Sequence, residues 1–95
     1  MLFMIYTTDK DDAVHIRKAN REDHLDYVKT HDKVKVIGAG PWLDDESGEM
    51  KGSLLVVEAN CINCINSWIK DDPYVKAGLT ARATIHPLGG WMTDL

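Results

Sequence analysis

Ser53–Ala59, SLLVVEA, is a nearly unbroken apolar run with no obvious wet face, rich in residues that favour strands. A run of this length and composition suits a strand buried on both faces better than one facing water on one side. A second run of the same kind, Leu2–Tyr6 (LFMIY), opens the chain and ends in Thr7-Thr8. Two further stretches read as strands of a different character. Val34–Ala39 alternates weakly and meets Gly38, Gly40 and Pro41, which break or bulge it, so it has the character of an edge strand. Leu79–Ile85 alternates cleanly, with Leu79, Ala81, Ala83 and Ile85 on one side and Thr80, Arg82, Thr84 and His86 on the other. Helices fill the gaps. Asp11 or Asp12 is placed to cap one that runs to about His31, and Asn60 to cap one that runs through Lys70 and ends before Pro73. In the second helix Ile62, Ile65 and Ile69 make the core stripe, with Cys61 and Trp68 at its margin.

The order is βαββαβ, which predicts an α+β fold: a four-stranded antiparallel sheet with both helices on one face and the two continuous runs as its central strands. Leu43–Gly52 is polar and turn-rich and should be an exposed hairpin connection. Two helices cover only one face of such a sheet. The apolar residues on the other face need a partner, most simply an identical chain packing sheet to sheet as a homodimer.

Ninety-five residues make one domain, taken as 1–95, and 44% hydrophobic with 27% charged residues are ordinary globular values. A formal net charge of −4 with scattered Lys and Arg leaves no basic field for a phosphate backbone, so nucleic acid is not an expected partner. The N-terminus lacks a positively charged leader and its apolar run is too short for a signal peptide. No stretch approaches the roughly 20 apolar residues of a membrane span, so no membrane association and a cytoplasmic location are expected.

The first helix carries the candidate chemistry in Arg17–Tyr27, RKANREDHLDY. At helical spacing Val14, Lys18, Arg21, Leu25 and Val28 share one side, with Arg17 and His24 on one edge, where a cleft rim would lie. His24 can take and return a proton near neutral pH, and a carboxylate on its second nitrogen would fix its tautomer; Asp71 and Asp72 are the candidates. Arg17 and Arg21, one turn apart, can hold a planar anion, or simply pair with Asp9, Asp12 or Glu22. Gly40 and Pro41, in the Gly38–Pro41 segment with Trp42, can form a pocket wall lined further by Tyr74 and Trp68.

Cys61 and Cys64 in CINC invite three readings: helix packing, a redox dithiol, or half of a zinc site. Packing is favoured, although a helix start at Asn60 would favour a thiolate at Cys61. His15, His31 and His86 show no metal-ligand spacing, and neither a metal nor another cofactor is expected.

The chain resembles the YciI-like family of dimeric α+β barrel proteins, a ferredoxin-like branch that includes relatives of muconolactone isomerase. The resemblance rests on Arg17-x3-Arg21-x2-His24-Leu25, Gly38-Ala39-Gly40-Pro41, Gly52-Ser53, Asp72-Pro73-Tyr74-x3-Gly78-Leu79 and Ile85-x-Pro87, five pieces in order over nearly the whole chain. It implies a His-Asp site falling on His24 and Asp72, and a family in which one branch eliminates chloride from a chlorinated hydroxyhydroquinone. The tail Leu88–Leu95 departs from the family pattern, and Gly89-Gly90-Trp91 would cover the barrel mouth or reach a partner chain.

Two functional expectations follow. One is a cofactor-independent lyase or isomerase for a small polar or aromatic molecule, with His24 as acid-base, Asp72 orienting it, and Arg21 with Arg17 steadying a developing anion. The other is a non-catalytic dimer that binds a small ligand in the same cleft or serves as an accessory subunit.

Overall fold

The computed structural model describes residues 1–30 and 33–92. The helix end expected near His31 and residues 93–95 of the tail fall outside them. Along the chain run β1 (Leu2–Asp9), α1 (Val14–Thr30), β2 (Lys35–Leu43), β3 (Met50–Glu58), α2 (Ile62–Lys70), the single-turn α3 (Pro73–Lys76) and β4 (Thr80–Leu88). The strands form one antiparallel sheet in the order β2-β3-β1-β4, so the two continuous apolar runs are indeed its central pair.

Pairing of Phe3 with Val57 and Ile5 with Leu55 puts four large side chains on the helix-covered face. Val28 of α1 and Ile65 and Trp68 of α2 close the core over them. The same register places Tyr6 opposite Leu54 on the other face, where they remain 37% and 41% exposed. Within one chain, then, this face of the central strands is covered only in part: Val56 is buried there, while Tyr6 and Leu54 stand open.

One β2 feature positions the cleft. A bulge between Val36 and Gly38 resets the strand so that Ala39 pairs with Leu55 and Pro41 with Ser53. Trp42, expected in the pocket wall, instead faces away from the helices. Its indole stacks on Tyr6 at 5.4 Å and its Nε1 donates to the Thr7 carbonyl across β3 (2.8 Å). That crossing is possible because Gly52 has no side chain; a Cβ there would collide with the Thr7 carbonyl and the indole ring.

The β2–β3 ladder also extends further than its polar sequence suggests, to the pair Leu43 and Met50. The turn is confined to residues 44–49 because one Asp44 carboxylate oxygen accepts from the Glu46 and Ser47 amides and the Ser47 hydroxyl, while Gly48 takes φ 74°.

The helices differ from expectation in rotation. On α1 the buried side chains are Arg17, His24 and Val28, following Ala13 ahead of the helix, while Lys18 and Arg21 face solvent. Arg17 and His24 thus sit at the centre of the inward face rather than on its edge. A hydropathy stripe underweights polar residues whose burial is balanced by partners. Asp12 lies at φ 52° in the turn before the helix, and the Ala13 carbonyl accepts the first amides, from Ile16 and Arg17. The cap of α2 is Cys61, not Asn60, and its buried residues are Ile65 and Trp68, leaving Ile62 exposed. Tyr27 ties the two helices together, donating to the Trp68 carbonyl (2.7 Å); burial, and then the Asp71 and Asp72 charges, push its phenol up to about 12.

Gly52→Ala should destabilise the chain by about 1–3 kcal/mol, the usual cost of overpacking a filled site. Urea unfolding followed by tryptophan fluorescence measures it; unchanged stability would mean that Trp42 does not cross β3 at this point.

Candidate active site

Three segments meet at one end of the sheet. Asp9 ends β1, Ser53 lies on β3 in phase with Leu55 and Val57, and Asp72 leads into α3. All three are buried polar residues, and all three are satisfied from above.

Arg17, 3% exposed, is the first contact from α1. Its Nε and Nη2 donate to the two Asp9 carboxylate oxygens (2.8 and 3.0 Å), and Nη2 also donates to the Ser53 hydroxyl (2.8 Å). The Ser53 amide in turn donates to Thr7 Oγ1 (2.9 Å). A buried two-point pair of this kind fixes orientation, and removing one partner would strand the other's charge at a cost of about 3–5 kcal/mol. The guanidinium lies 4.7 Å from the centre of the Tyr74 ring.

His24 stands two turns further along α1 on the same inward face, 6% exposed. Its ring stacks on the other neighbour of the cluster, Tyr74, with centroids 3.9 Å apart and planes 10° apart. Nδ1 lies 2.8 Å from Asp72 Oδ1, and the same oxygen accepts the Tyr74 amide (3.0 Å) as the cap of α3. Pro73 follows Asp72 as the first helical residue, so the turn that points the carboxylate is stiff by construction. Asp71, the competing carboxylate, instead approaches exposed Lys76 at 4.0 Å. A carboxylate on Nδ1 selects the ring form with the proton on that nitrogen, leaving Nε2 as the basic atom. Burial raises the Tyr74 phenol, with the Arg17 and Arg21 charges pulling the other way, so it stays protonated at neutral pH.

These side chains bound a cleft of about 230 Å³. Arg17, Arg21, His24 and Tyr74 line its polar side; Leu25, Ala39, Gly40, Pro41, Met50 and Leu55 line the rest with Ser53. Of the residues expected in the site from sequence, Arg17, Arg21, His24, Gly40, Pro41 and Tyr74 touch this space, Gly38, Trp42 and Trp68 do not, and Asp72 reaches it only through His24. A void of about 20 Å³ behind His24 reaches Asp72, Trp68 and Thr7. Trp68 therefore belongs to the core and not to the cleft.

Arg21 is exposed and, among the described residues, has no hydrogen bond or ion pair, so its donors are available to a molecule in the cleft. Trp91 and Met92 are exposed and line no part of the cleft of their own chain. Among the described residues no three His, Cys, Asp or Glu side chains converge as metal ligands.

Ser53 was not anticipated in the site, and Asp9 only as a surface partner for Arg17. Their signal lay in the strand period: both continue the inward alternation of their strands, so each is a polar residue at a core position.

The comparisons with known proteins agree with this fold. Protein YciI of Escherichia coli O6:H1 is 30% identical over 93 residues, covering 92% of this chain and 95% of that protein. An uncharacterised Haemophilus influenzae protein is 28% identical over the same coverage. Among solved structures, 5-chloro-2-hydroxyhydroquinone dehydrochlorinase (TftG) of Burkholderia phenoliruptrix AC1100, in complex with 2,5-dihydroxybenzoquinone, superposes with a TM-score of 0.81 at 33% identity over 93% of both chains. A NIPSNAP domain protein from Burkholderia xenovorans, at 14% identity and a TM-score of 0.52, shares the fold alone. The family model of the YCII-related domain matches residues 1–88, which contain every strand and helix among the described residues and every residue lining the cleft, and the chain belongs to that YciI-like family.

Proposed function

We propose that this chain is a cofactor-independent enzyme that removes a proton from a small hydroxylated ring compound and so drives elimination or isomerisation. The observation that carries this reading is the His24–Asp72 contact of 2.8 Å on the wall of a cleft that also holds an uncommitted arginine. Nε2 of His24 takes the proton, and Asp72 stabilises the imidazolium that results. Arg21 binds the oxyanion left on the substrate.

Arg17 is largely committed to Asp9 and Ser53, so its part is to hold Tyr74 and, through it, the imidazole. Gly40 and Pro41 give the facing wall a flat, apolar surface suited to a ring. The volume, about 230 Å³, lies below the range of drug-sized sites and suits a single ring. TftG, named for dehydrochlorination of such a compound and solved with a dihydroxyquinone, supports the choice of substrate class. Proton and leaving anion depart from one molecule, so the step needs no external oxidant.

Halide release from chlorinated hydroxyhydroquinones is the assay. His24→Gln should lower kcat on the order of 10²–10⁴-fold, and Asp72→Asn should lower it by up to a similar factor through the wrong tautomer. Arg21→Ala should lower kcat/KM about 10- to 100-fold, the equivalent of one charge-assisted hydrogen bond. Binding of 2,5-dihydroxybenzoquinone without turnover of any substrate, and equally by wild type and His24→Gln, would instead support a non-catalytic ligand-binding protein.

We also propose that a second copy covers the open sheet face, as the exposed Tyr6–Leu54 pair suggests. Light scattering should give twice the 10.7 kDa chain mass, and Leu54→Arg should give monomers. A monomeric wild type would refute the dimer.

A further inference from the structure

Cys61 and Cys64, at the start of α2, line no part of the cleft. Cys61 is exposed and Cys64 half-buried against the core, and their sulfurs approach to 2.8 Å. Cys61 is the cap of α2: its backbone is extended (φ −157°, ψ 162°) and its sulfur accepts the Cys64 amide at 3.4 Å. Packing explains Cys64. It does not explain a sulfur turned out to solvent at Cys61 with a second sulfur aimed at it.

We propose that Cys61 and Cys64 are a dithiol that exchanges with low-molecular-weight disulfides, Cys61 attacking and Cys64 resolving. The capping geometry supports the division of labour. The hydrogen bond from the Cys64 thiol, with the backbone amides of Cys64 and Asn63, holds the Cys61 thiol below its ordinary range. The same hydrogen bond, together with burial, pushes Cys64 up. The low thiol of such a pair is the one present as thiolate and therefore the nucleophile.

Room for the second reactant exists beside the pair. A shallow hollow of about 400 Å³, bordered by Lys33, Asn63, Ser67, Trp68 and Asp71, opens onto both cysteines. It is separate from the His24 cleft, with which it shares no lining residue.

The chemistry balances as two exchanges. The Cys61 thiolate attacks a disulfide RSSR, forms a Cys61–SR bond and expels RS⁻. Cys64, giving its proton to solvent or to the departing thiolate, then attacks Cys61 Sγ and expels the second RS⁻. The protein loses two electrons and two protons, and the small disulfide is reduced to two thiols. A disulfide bond is about 2.0 Å long, so closure asks the two sulfurs to approach by less than an ångström from their present separation.

The test equilibrates the full-length chain with oxidised glutathione, quenches with acid, alkylates remaining thiols and weighs the products. Wild type should convert to an intrachain disulfide, lighter by two hydrogens and located by peptide mapping to Cys61–Cys64. Cys64→Ser should trap one glutathione on Cys61, and Cys61→Ser should acquire its adduct at least about tenfold more slowly. The wild-type measurement needs no variant and so does not depend on either one folding. Retention of both thiols, two stable adducts, an interchain bond, or equal rates in the two variants would overturn the proposal.

Discussion

The pair Arg17–Asp9 is the constraint on which the site depends. It places a guanidinium inside a small protein, where a charge survives only if held, and here both carboxylate oxygens and the Ser53 hydroxyl hold it. In satisfying Arg17 the fold fixes the rotation of α1 over β1 and β3. It thereby sets which helix residues point inward, and His24 is one of them. A continuous line of contacts then runs from Asp9 through Arg17, Tyr74 and His24 to Asp72, joining a strand end, a long helix and a single-turn helix. Each aromatic or charged group in that line has its orientation set by its neighbours, which is what positioned acid-base chemistry requires.

The division between the two arginines follows from the same arrangement. They are one turn apart and alike in sequence, yet one is buried and paired while the other stands exposed at the cleft. An arginine already bound to a carboxylate has little charge to lend to a ligand. Arg21 has all of its own, and its exposure lets it adjust to an anion that enters.

Much of the fold was legible because apolar runs and breakers report directly on strands and their ends. LFMIY and SLLVVEA marked the central strands, the Gly-Pro segment marked the edge, and Asp72-Pro73 marked the end of α2. The rotation of α1 was not legible. Its inward face is built from Arg17 and His24, and hydropathy assigns such residues to the surface unless their partners on other segments are known. The direction of Trp42 was hidden for a similar reason, since it depends on a bulge in β2 and on the absence of a side chain at Gly52, one strand away. Likewise Ile62 fits a helical stripe by spacing, but α2 begins at that residue, and the core contact falls to Ile65 and Trp68.

The central claim is that Asp72 sets His24 up as a base through Nε2. Two-dimensional ¹⁵N–¹H NMR of the imidazole nitrogens, at a pH where the ring is neutral, tests it most directly. The account predicts a His24 ring protonated at Nδ1 with a bare Nε2, a form lost in Asp72→Asn. A ring protonated at Nε2 in the wild-type protein, or one unchanged by the substitution, would contradict it.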